Sequence, residues 1–310
     1  MNEPVNTLLQ ILIFPGFVFT LVLGLVASWI VRKVSALVQW RVGPPILQPF
    51  YDVVKLVGKE TLIPQEAQKT VFMWAPLVGM AGTLLLSTML WQIAITQKAF
   101  LGDIIVAVYL MILPSLALIL GSSASANPQA SLGTSREMKL VMGYELPLVL
   151  AFIVVIIKTG GQLNLAQIAQ QAPALSISGM LAFLVSLFCV QAKLGFVPFD
   201  IAESETEIAS GILIEYSGAL LAVWKVMQAM MLVALPMFLV TVFLGGFEVN
   251  AWTGYGKYVL VLVLIILIKN TNPRVRIDQA MKFFWVYCSI ALAVAVILAM
   301  IGNNYGINWL

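Results

Sequence analysis

Long apolar stretches separated by short polar segments account for most of this 310-residue chain. A helix that crosses a bilayer needs about 20 mostly apolar residues. Eight stretches are candidates: residues 8–31, 71–95, 104–126, 138–157, 177–194, 216–245, 258–268 and 283–301. The seventh reaches span length only if residues from 251 onward join it. The pattern predicts an all-α fold, a polytopic membrane helix bundle of about eight transmembrane helices in a single domain over residues 1–310.

The segment between the first two stretches, residues 48–63, has a different periodicity. Apolar side chains recur there at helical spacing: Phe50, Val53, Val54, Val57 and Leu62. Charged side chains fall mainly on another face: Asp52, Lys55, Lys59 and Glu60. This pattern predicts an amphipathic helix lying in the membrane interface. Such a helix either covers the end of the bundle or serves as a docking or gating element where a soluble partner meets the membrane.

Composition supports the membrane interpretation. The chain is 61% hydrophobic and only 10% charged, and a soluble domain of this length could not bury so much apolar surface. Lipid is therefore the expected surrounding. The formal net charge is only +3, and the chain has neither a basic tail nor an aromatic-basic pattern, so we expect no nucleic-acid partner.

The distribution of basic residues predicts the orientation, because cytoplasmic loops are enriched in Lys and Arg. Thirteen of the 17 Lys and Arg residues fall in or beside the segments 32–70, 127–139, 195–215 and 269–282. Lys98, Lys158 and Lys257 fall on the other side, and Lys225 lies inside the sixth stretch. The asymmetry predicts that these four segments are cytoplasmic loops of a multi-pass protein of the cell (plasma) membrane, with both termini outside.

Residues that commonly bind metals are scarce. The chain has no histidine, and Cys189 and Cys288 stand alone in apolar stretches. Haem, iron–sulfur and zinc sites need several such ligands close together. We therefore expect no metal or cofactor in this chain, two small buried cysteines, and any redox centre in a partner subunit.

Residues 198–218, called the acidic segment below, carry five carboxylates between two apolar stretches: Asp200, Glu203, Glu205, Glu207 and Glu215. In helical geometry Glu203, Glu207 and Glu215 fall on one stripe, where like charges repel. Either basic groups pair with these acids, or neighbouring carboxylates raise one another's pKa so that some are protonated. Both outcomes describe a site that can hold and release protons. A solvated acidic loop is the plainer alternative.

Two charged residues lie more than one helical turn inside the predicted spans. Glu145 lies in the fourth stretch, and a charge near the bilayer centre costs roughly 2.5 to 3.5 kcal/mol on insertion scales. We therefore expect Glu145 to face the bundle, in a proton relay or in a static salt bridge. Lys225 is the only charge well inside the sixth stretch, and both a structural ion pair and a relay role are open for it.

Four segments, in order along the chain, carry a family resemblance. They are Arg41-Val42-Gly43-Pro44-Pro45 with Gln48, Pro49, Asp52, Lys55 and Leu56; Arg136 with Tyr144-Glu145; Pro198-Phe199-Asp200 with Glu203, Glu205, Glu207 and Glu215-Tyr216-Ser217-Gly218; and Pro273-Arg274 with Arg276 and Asp278. Together they resemble the signature of the respiratory complex I subunit 1 (NuoH-type) family. The resemblance covers the whole chain and its eight spans.

Other residues are more similar to one branch of relatives. Residues 44–48 are more compact than is usual in complex I proteins, and Leu140 stands where those proteins typically have glutamine. Residues 135–138 resemble the membrane subunits of group 4 membrane-bound nickel–iron (NiFe) hydrogenases and of their sulfane-reductase relatives. These differences favour a ferredoxin-linked complex that does not use quinone.

The resemblance implies a membrane-anchoring and coupling subunit of a membrane-bound hydrogenase-type complex, which is not catalytic by itself. Peripheral cytoplasmic partners would carry Fe–S clusters and possibly a NiFe centre. Antiporter-like membrane partners would move H⁺ or Na⁺. A sulfane reductase subunit and a quinone-reducing complex I subunit are alternatives within the family. From other classes, a self-contained cation transporter and a passive anchor remain open.

The predicted site has two groups of residues. The proposed proton relay consists of Glu145, Asp200, Glu203, Glu205, Glu207, Glu215 and Lys225. The proposed counter-charges or partner-facing residues are Arg41, Arg136, Lys193, Arg274, Arg276 and Asp278.

Overall fold

A computed structural model describes residues 9–99, 103–249, 251–307 and 309–310. Throughout these residues the ordered elements are helices, and no strand occurs in them. The main helices are α1 (Phe17–Val38), α2 (Gln48–Val57), α3 (Lys69–Thr96), α4 (Asp103–Ser123), α5 (Pro128–Lys158), α6 (Ile177–Lys193), α7 (Gly218–Phe243), α8 (Trp252–Thr271) and α9 (Ile277–Tyr305).

Seven helices in the described part of the chain are long and apolar enough to cross a membrane. The helix α6 has 17 residues, and it is bent by 105° from the preceding segment Leu165–Leu175, with which it forms an eighth, broken candidate span. The predicted all-α membrane bundle is therefore confirmed, with seven spans or eight if the bent pair is counted. The seventh predicted stretch does extend upstream, since α8 begins at Trp252.

Helix α7 lies at the centre of the bundle. Its most apolar 18-residue window is 94% buried, compared with 28% for α8 and for α9. It packs against α1, α3, α6 and α8, as expected for a helix that is apolar on all sides. At Gly24 of α1 the two backbones approach so closely that a Cβ atom would lie 2.5 Å from the Ala229 carbonyl oxygen. Small residues allow this kind of packing between membrane helices.

Helix α5 begins ten residues earlier than predicted, because its start signal was assigned to a loop. The Asn127 side chain accepts a hydrogen bond from the Gln129 amide at 2.8 Å, and Pro128 occupies the first turn. Both features favour a helix start. Residues 128–139 are therefore helical and include Arg136, whereas the cytoplasmic side assigned to this segment stays a prediction.

The acidic segment does not form a continuous helix, so the predicted stripe of glutamates is wrong. Only Glu205–Ile208 makes one α-helical turn. Ala209, Ser210 and Gly211 then have φ values of 48°, 74° and 45°, in the left-handed region that ends a right-handed helix. At Gly211 a Cβ atom would lie 2.3 Å from the Ala202 carbonyl oxygen. The helical turn therefore ends here, and separate partners bind the side chains of Asp200, Glu203, Glu207 and Glu215.

The predicted interfacial helix is present but shorter than residues 48–63. Helix α2 ends at Val57 and packs against α7 and α1. Pro49 is buried, whereas Val54 and Val57 are 69% and 60% exposed. Leu62, assigned to the apolar face, lies beyond the end of the helix.

The close approach of α1 and α7 gives a test of the packing. We expect Gly24→Ala to destabilise the protein by about 1–3 kcal/mol, because the added methyl group overpacks a backbone contact. Gly256→Ala on α8 is the matched control, since no heavy atom lies within 4 Å of a Cβ built there. Thermal unfolding in detergent should show a lower Tm for the first variant only. Equal Tm values would contradict this packing.

Candidate functional site

A buried ion pair joins α5 and α6. Lys193 Nζ donates a hydrogen bond to Glu145 Oε1, and the exposed fractions of the two side chains are 0% and 18%. Lys193 Nζ also lies 4.8 Å from the centroid of the Tyr144 ring and 3.5 Å from the Met111 carbonyl oxygen. Glu145 Oε2 is buried and has no hydrogen-bond donor among the described residues. Oε1 of Glu145 thus has a hydrogen-bond donor, whereas Oε2 has none among the described residues.

A cavity of about 40 Å³, here called the inner cavity, lies beside this pair. Its polar lining consists of Ser115, Glu137, Lys193, Asp200, Glu203 and Gln228. A cavity needs roughly 10–15 Å³ and several polar partners to hold a water molecule, so the inner cavity has room for water. It therefore connects the acidic segment with the lysine of the buried pair.

Glu203 stands at the junction of the inner cavity and a second one. Its Oε1 accepts a hydrogen bond from Gln228 Nε2 at 2.8 Å, and Gln228 Oε1 accepts one from Lys225 Nζ at 3.2 Å. The second cavity, here called the interface cavity, measures about 230 Å³ and is also lined by Glu203 and Gln228. Its other charged lining residues are Arg32, Asp52, Lys225 and Lys269.

Two further carboxylates of the acidic segment pair with arginines at the protein surface. Arg136 donates to Glu207 at 2.6 Å and to the Ile201 carbonyl oxygen at 3.4 Å. Arg274 donates to Asp200 at 2.7 Å and to Ser204 Oγ at 3.2 Å. Such exposed pairs contribute little stability. Their effect is to hold the irregular backbone of the acidic segment against α5 and the start of α9.

The remaining predicted site residues lie apart from these contacts. Glu215 accepts a hydrogen bond from the Asn127 side chain. Arg276 and Asp278 are exposed and line a surface cavity with Arg136 and Asp200. Arg41 is exposed, and within the described ranges no carboxylate lies within 4.0 Å of it. The side chain of Glu205 falls outside the described residues.

Helix α2 is tied to α1 by a charged pair. Arg32 donates a hydrogen bond to Asp52 Oδ2 at 2.8 Å, and Gln48 donates to Oδ1 at 2.9 Å. The hydrogen bond from Arg32 is the main cause that lowers the pKa of the Asp52 carboxyl, and Gln48 acts in the same direction against the effect of partial burial. Asp52 therefore stays ionised at the mouth of the interface cavity.

This geometry can be compared with known proteins. The model of a protein family described as NADH dehydrogenase matches residues 9–301. The chain belongs to this family. It is 33% identical to the NuoH-type subunit of NADH-quinone oxidoreductase from Dehalococcoides mccartyi (strain CBDB1), over 95% of this chain and 86% of that protein. It is 34% identical to the corresponding protein of Syntrophotalea carbinolica, over 92% and 93% of the two chains.

Among solved structures, the chain is similar to a chain of the membrane-bound sulfane sulfur reductase, an archaeal respiratory membrane complex. The TM-score is 0.86 at 26% sequence identity, and the match covers 95% of this chain and 99% of the other. The resemblance indicated by the four sequence motifs is confirmed. This chain is therefore similar to proteins from complexes whose names give different electron acceptors.

Possible metal ligands can be examined in the residues that the structure describes. Within the described part of the chain, no three His, Cys, Asp or Glu side chains are arranged to hold a metal ion. Cys189 and Cys288 are buried and free. These residues do not fit the ligand set of an iron–sulfur cluster.

Three residues at the cavities were not predicted. Glu137 precedes Glu145 by eight residues, about two helical turns, which places both on one side of α5. Gln228 follows Lys225 by three residues, a spacing at which helical side chains touch. Lys269 was used only as one of the basic residues that predict the orientation of the chain in the membrane. Helical spacing from a predicted residue would have found the first two, whereas Lys269 is brought to the site by the packing of α8.

Double substitution tests the buried pair. We expect Glu145→Gln to destabilise the protein by about 3–5 kcal/mol, because it leaves the Lys193 ammonium buried without a carboxylate. Adding Lys193→Met removes that charge and should recover much of the loss. Thermal unfolding of the two single variants, the double variant and the wild type measures the coupling. Simple additivity of the two losses would show that the side chains do not act as a pair.

Proposed function

We propose that this chain is the membrane-anchoring and coupling subunit of a multi-subunit respiratory complex related to complex I. In this role it links electron transfer in peripheral subunits to ion movement through the membrane. Membership of the NADH dehydrogenase family supports the general role. The observation that carries the coupling role is the position of Glu203, which lines both the inner and the interface cavity.

The coupling rests on electrostatics. A redox centre in a partner beside the acidic segment changes its charge when it is reduced. Carboxylates that lie close together respond as a set, because the charge on one alters the proton affinity of the others. Inside a protein the effective dielectric constant is far below that of water, so such a change acts over a longer distance. Asp200 and Glu203 would take up or release protons first.

The inner cavity then offers a route to the bundle. Water held there would connect Glu203 with Glu137 and with Lys193, all three of which line the cavity. Lys193 contacts Glu145 directly, and the open Oε2 of Glu145 would be the acceptor at the end of this route. A shift of charge in this pair would pass to neighbouring antiporter-like membrane subunits, which move H⁺ or Na⁺.

The other predicted relay residues have separate places in this proposal. Glu207 lies at the surface against Arg136 and would respond to a partner near that surface. Lys225 would act through Gln228, which bonds both Lys225 and Glu203. Glu205 and Glu215 stay predicted relay residues, and no contact ties Glu215 to the inner cavity.

The proposed partners follow from the scarcity of metal-binding residues in this sequence, which has no histidine and two cysteines. We propose that peripheral cytoplasmic subunits hold the Fe–S clusters and, in the hydrogenase version, a NiFe centre, in line with the cytoplasmic side assigned from the basic residues. The exposed charges Arg41, Arg276 and Asp278 are placed to meet such subunits. The complex would lie in the cell membrane, with both termini of this chain outside.

Ferredoxin-linked hydrogenase chemistry is the first candidate for the whole complex, on the grounds of residues 44–48, residues 135–138 and Leu140. A sulfane reductase is the second candidate, and the match over 99% of a chain from such a complex favours it. Quinone reduction is the alternative suggested by the names of the relatives at 33% and 34% identity.

Ion movement per electron tests the coupling role. In vesicles containing the purified complex, Glu203→Gln should lose most of its ion movement at unchanged electron flux, because the amide cannot carry a proton. Glu66→Gln is the matched control, since Glu66 is exposed in the loop before α3. Glu207→Gln should have a smaller effect than Glu203→Gln. A wild-type ratio of ions to electrons in Glu203→Gln would exclude the proposed relay.

The electron acceptor can be assigned with the same purified complex. Supplied with reduced ferredoxin, it should transfer electrons without added quinone and should be insensitive to quinone-site inhibitors. Formation of H₂ would identify the hydrogenase version, and formation of sulfide from polysulfide would identify the sulfane reductase version. Electron flow that requires quinone would contradict both and assign the chain to a quinone-reducing complex.

A further inference from the structure

Two lysines from different membrane helices share the interface cavity. Lys225 lies in the first turns of α7, and Lys269 lies in the last turn of α8. Lys225 Nζ bonds the Gln228 side chain at 3.2 Å, and Lys269 Nζ lies 4.4 Å from the centroid of the Phe196 ring. In the described part of the chain, neither amine forms an ion pair within 4.0 Å.

Asp200 acts electrostatically on Lys269 and is itself paired with Arg274, and the carboxylates that line the interface cavity balance only part of its positive charge. Asp52 is paired with Arg32, and Glu203 bonds Gln228. Three cations and two carboxylates line the cavity, which leaves one positive charge in excess. Unpaired cations in membrane helices are costly, so this cavity favours an anion. Basic pockets between membrane helices are a general type of binding site for anionic lipid headgroups.

The wall also has an apolar part, which argues for an amphiphilic anion. Leu25, Val31, Val53, Leu56 and Leu232 line the same cavity. A small inorganic anion would leave these side chains uncovered. A neutral headgroup would leave the excess charge uncompensated. A phosphate group attached to a hydrocarbon chain satisfies both parts of the wall.

A second cavity continues the apolar surface toward the other side of the membrane. This apolar cavity measures about 180 Å³, and its lining includes Leu23 and Ile30 of α1 and Val233 and Met237 of α7. The same two helices line the interface cavity. Lys225 and Met237 are twelve residues apart on α7, or about 18 Å at 1.5 Å per residue. One leaflet contributes about 15 Å of the hydrocarbon core, so a single lipid chain matches this distance.

We propose that the interface cavity binds the phosphate headgroup of an anionic membrane lipid between Lys225 and Lys269. One hydrocarbon chain of this lipid lies along α1 and α7 and reaches the apolar cavity. The lipid closes the gap between α1, α7 and α8 at the end of the bundle that carries the acidic segment. This site shares Lys225 with the proposed relay, but lipid binding needs only the two amines and the apolar part of the wall, so it can be measured separately from ion movement.

Lipid titration of the full-length chain tests the site. The chain, purified in a neutral detergent, is titrated with phosphatidylglycerol and analysed by native mass spectrometry. The double variant Lys225→Gln/Lys269→Gln should bind about 30-fold more weakly, from the usual contribution of two basic residues near a lipid phosphate. Lys225→Arg/Lys269→Arg should retain binding. Lys282→Gln, an exposed lysine on α9, should bind like the wild type. Circular dichroism and size-exclusion chromatography verify that every variant is folded.

Binding of other ligands shows whether the headgroup charge or the hydrocarbon chain is recognised. Phosphatidylcholine, glycerol phosphate and phosphatidylglycerol with short acyl chains should all bind more weakly than the long-chain anionic lipid. Equal binding of phosphatidylcholine would remove the role of the lysines. Equal binding of glycerol phosphate would identify an anion site without lipid, and binding of a quinone in preference to the anionic lipid would overturn the proposal. So would unchanged lipid binding by Lys225→Gln/Lys269→Gln.

Discussion

The buried pair of Lys193 and Glu145 is the constraint on which the arrangement of this bundle depends. A single charge in the membrane interior is costly, and it becomes tolerable when an opposite charge contacts it directly. The pair therefore fixes α6 against α5 and brings the end of α6 to the inner cavity. The acidic segment begins five residues after Lys193, so the same contact positions its carboxylates next to the bundle.

The irregular backbone of the acidic segment is consistent with that position. Irregular backbone beside a membrane helix bundle is tolerated where it is buried in protein or lines a cavity. Asp200 and Glu203 line the inner cavity, while Glu207 and Glu215 have partners elsewhere. Each carboxylate therefore has its own electrostatic surroundings. Asp200 and Glu203 are thus the two carboxylates of the acidic segment that share one cavity.

Much of the fold could be predicted because membrane helices follow directly from long apolar stretches. The spans, helix α2 and the family could each be recognised from residues that lie close together in the sequence. The start of α5 was missed because a capping Asn127 followed by Pro128 is also typical of a loop. The stripe of glutamates failed because the left-handed conformations of Ala209 and Ser210 are imposed by packing and are not visible in residue type.

The composition of the site was partly predictable, but its pairing was not. Lys193 and Glu145 were both singled out, yet 48 positions separate them in sequence, and only the packing of α5 on α6 brings them together. Gln228 carries no charge, so a search for ionisable residues passes over it. Its amide nevertheless links Lys225 with Glu203, because α7 passes directly beside the acidic segment.

The proposed coupling is tested most directly by infrared difference spectroscopy of the purified complex, which compares the reduced and oxidised states. A protonated carboxyl group has its own carbonyl stretching band. If reduction of the partner changes the protonation of the inner cavity, the difference spectrum will contain a carboxyl band that Glu203→Gln removes and Glu66→Gln leaves in place. A spectrum without such a band, or one that Glu203→Gln does not alter, would contradict the coupling.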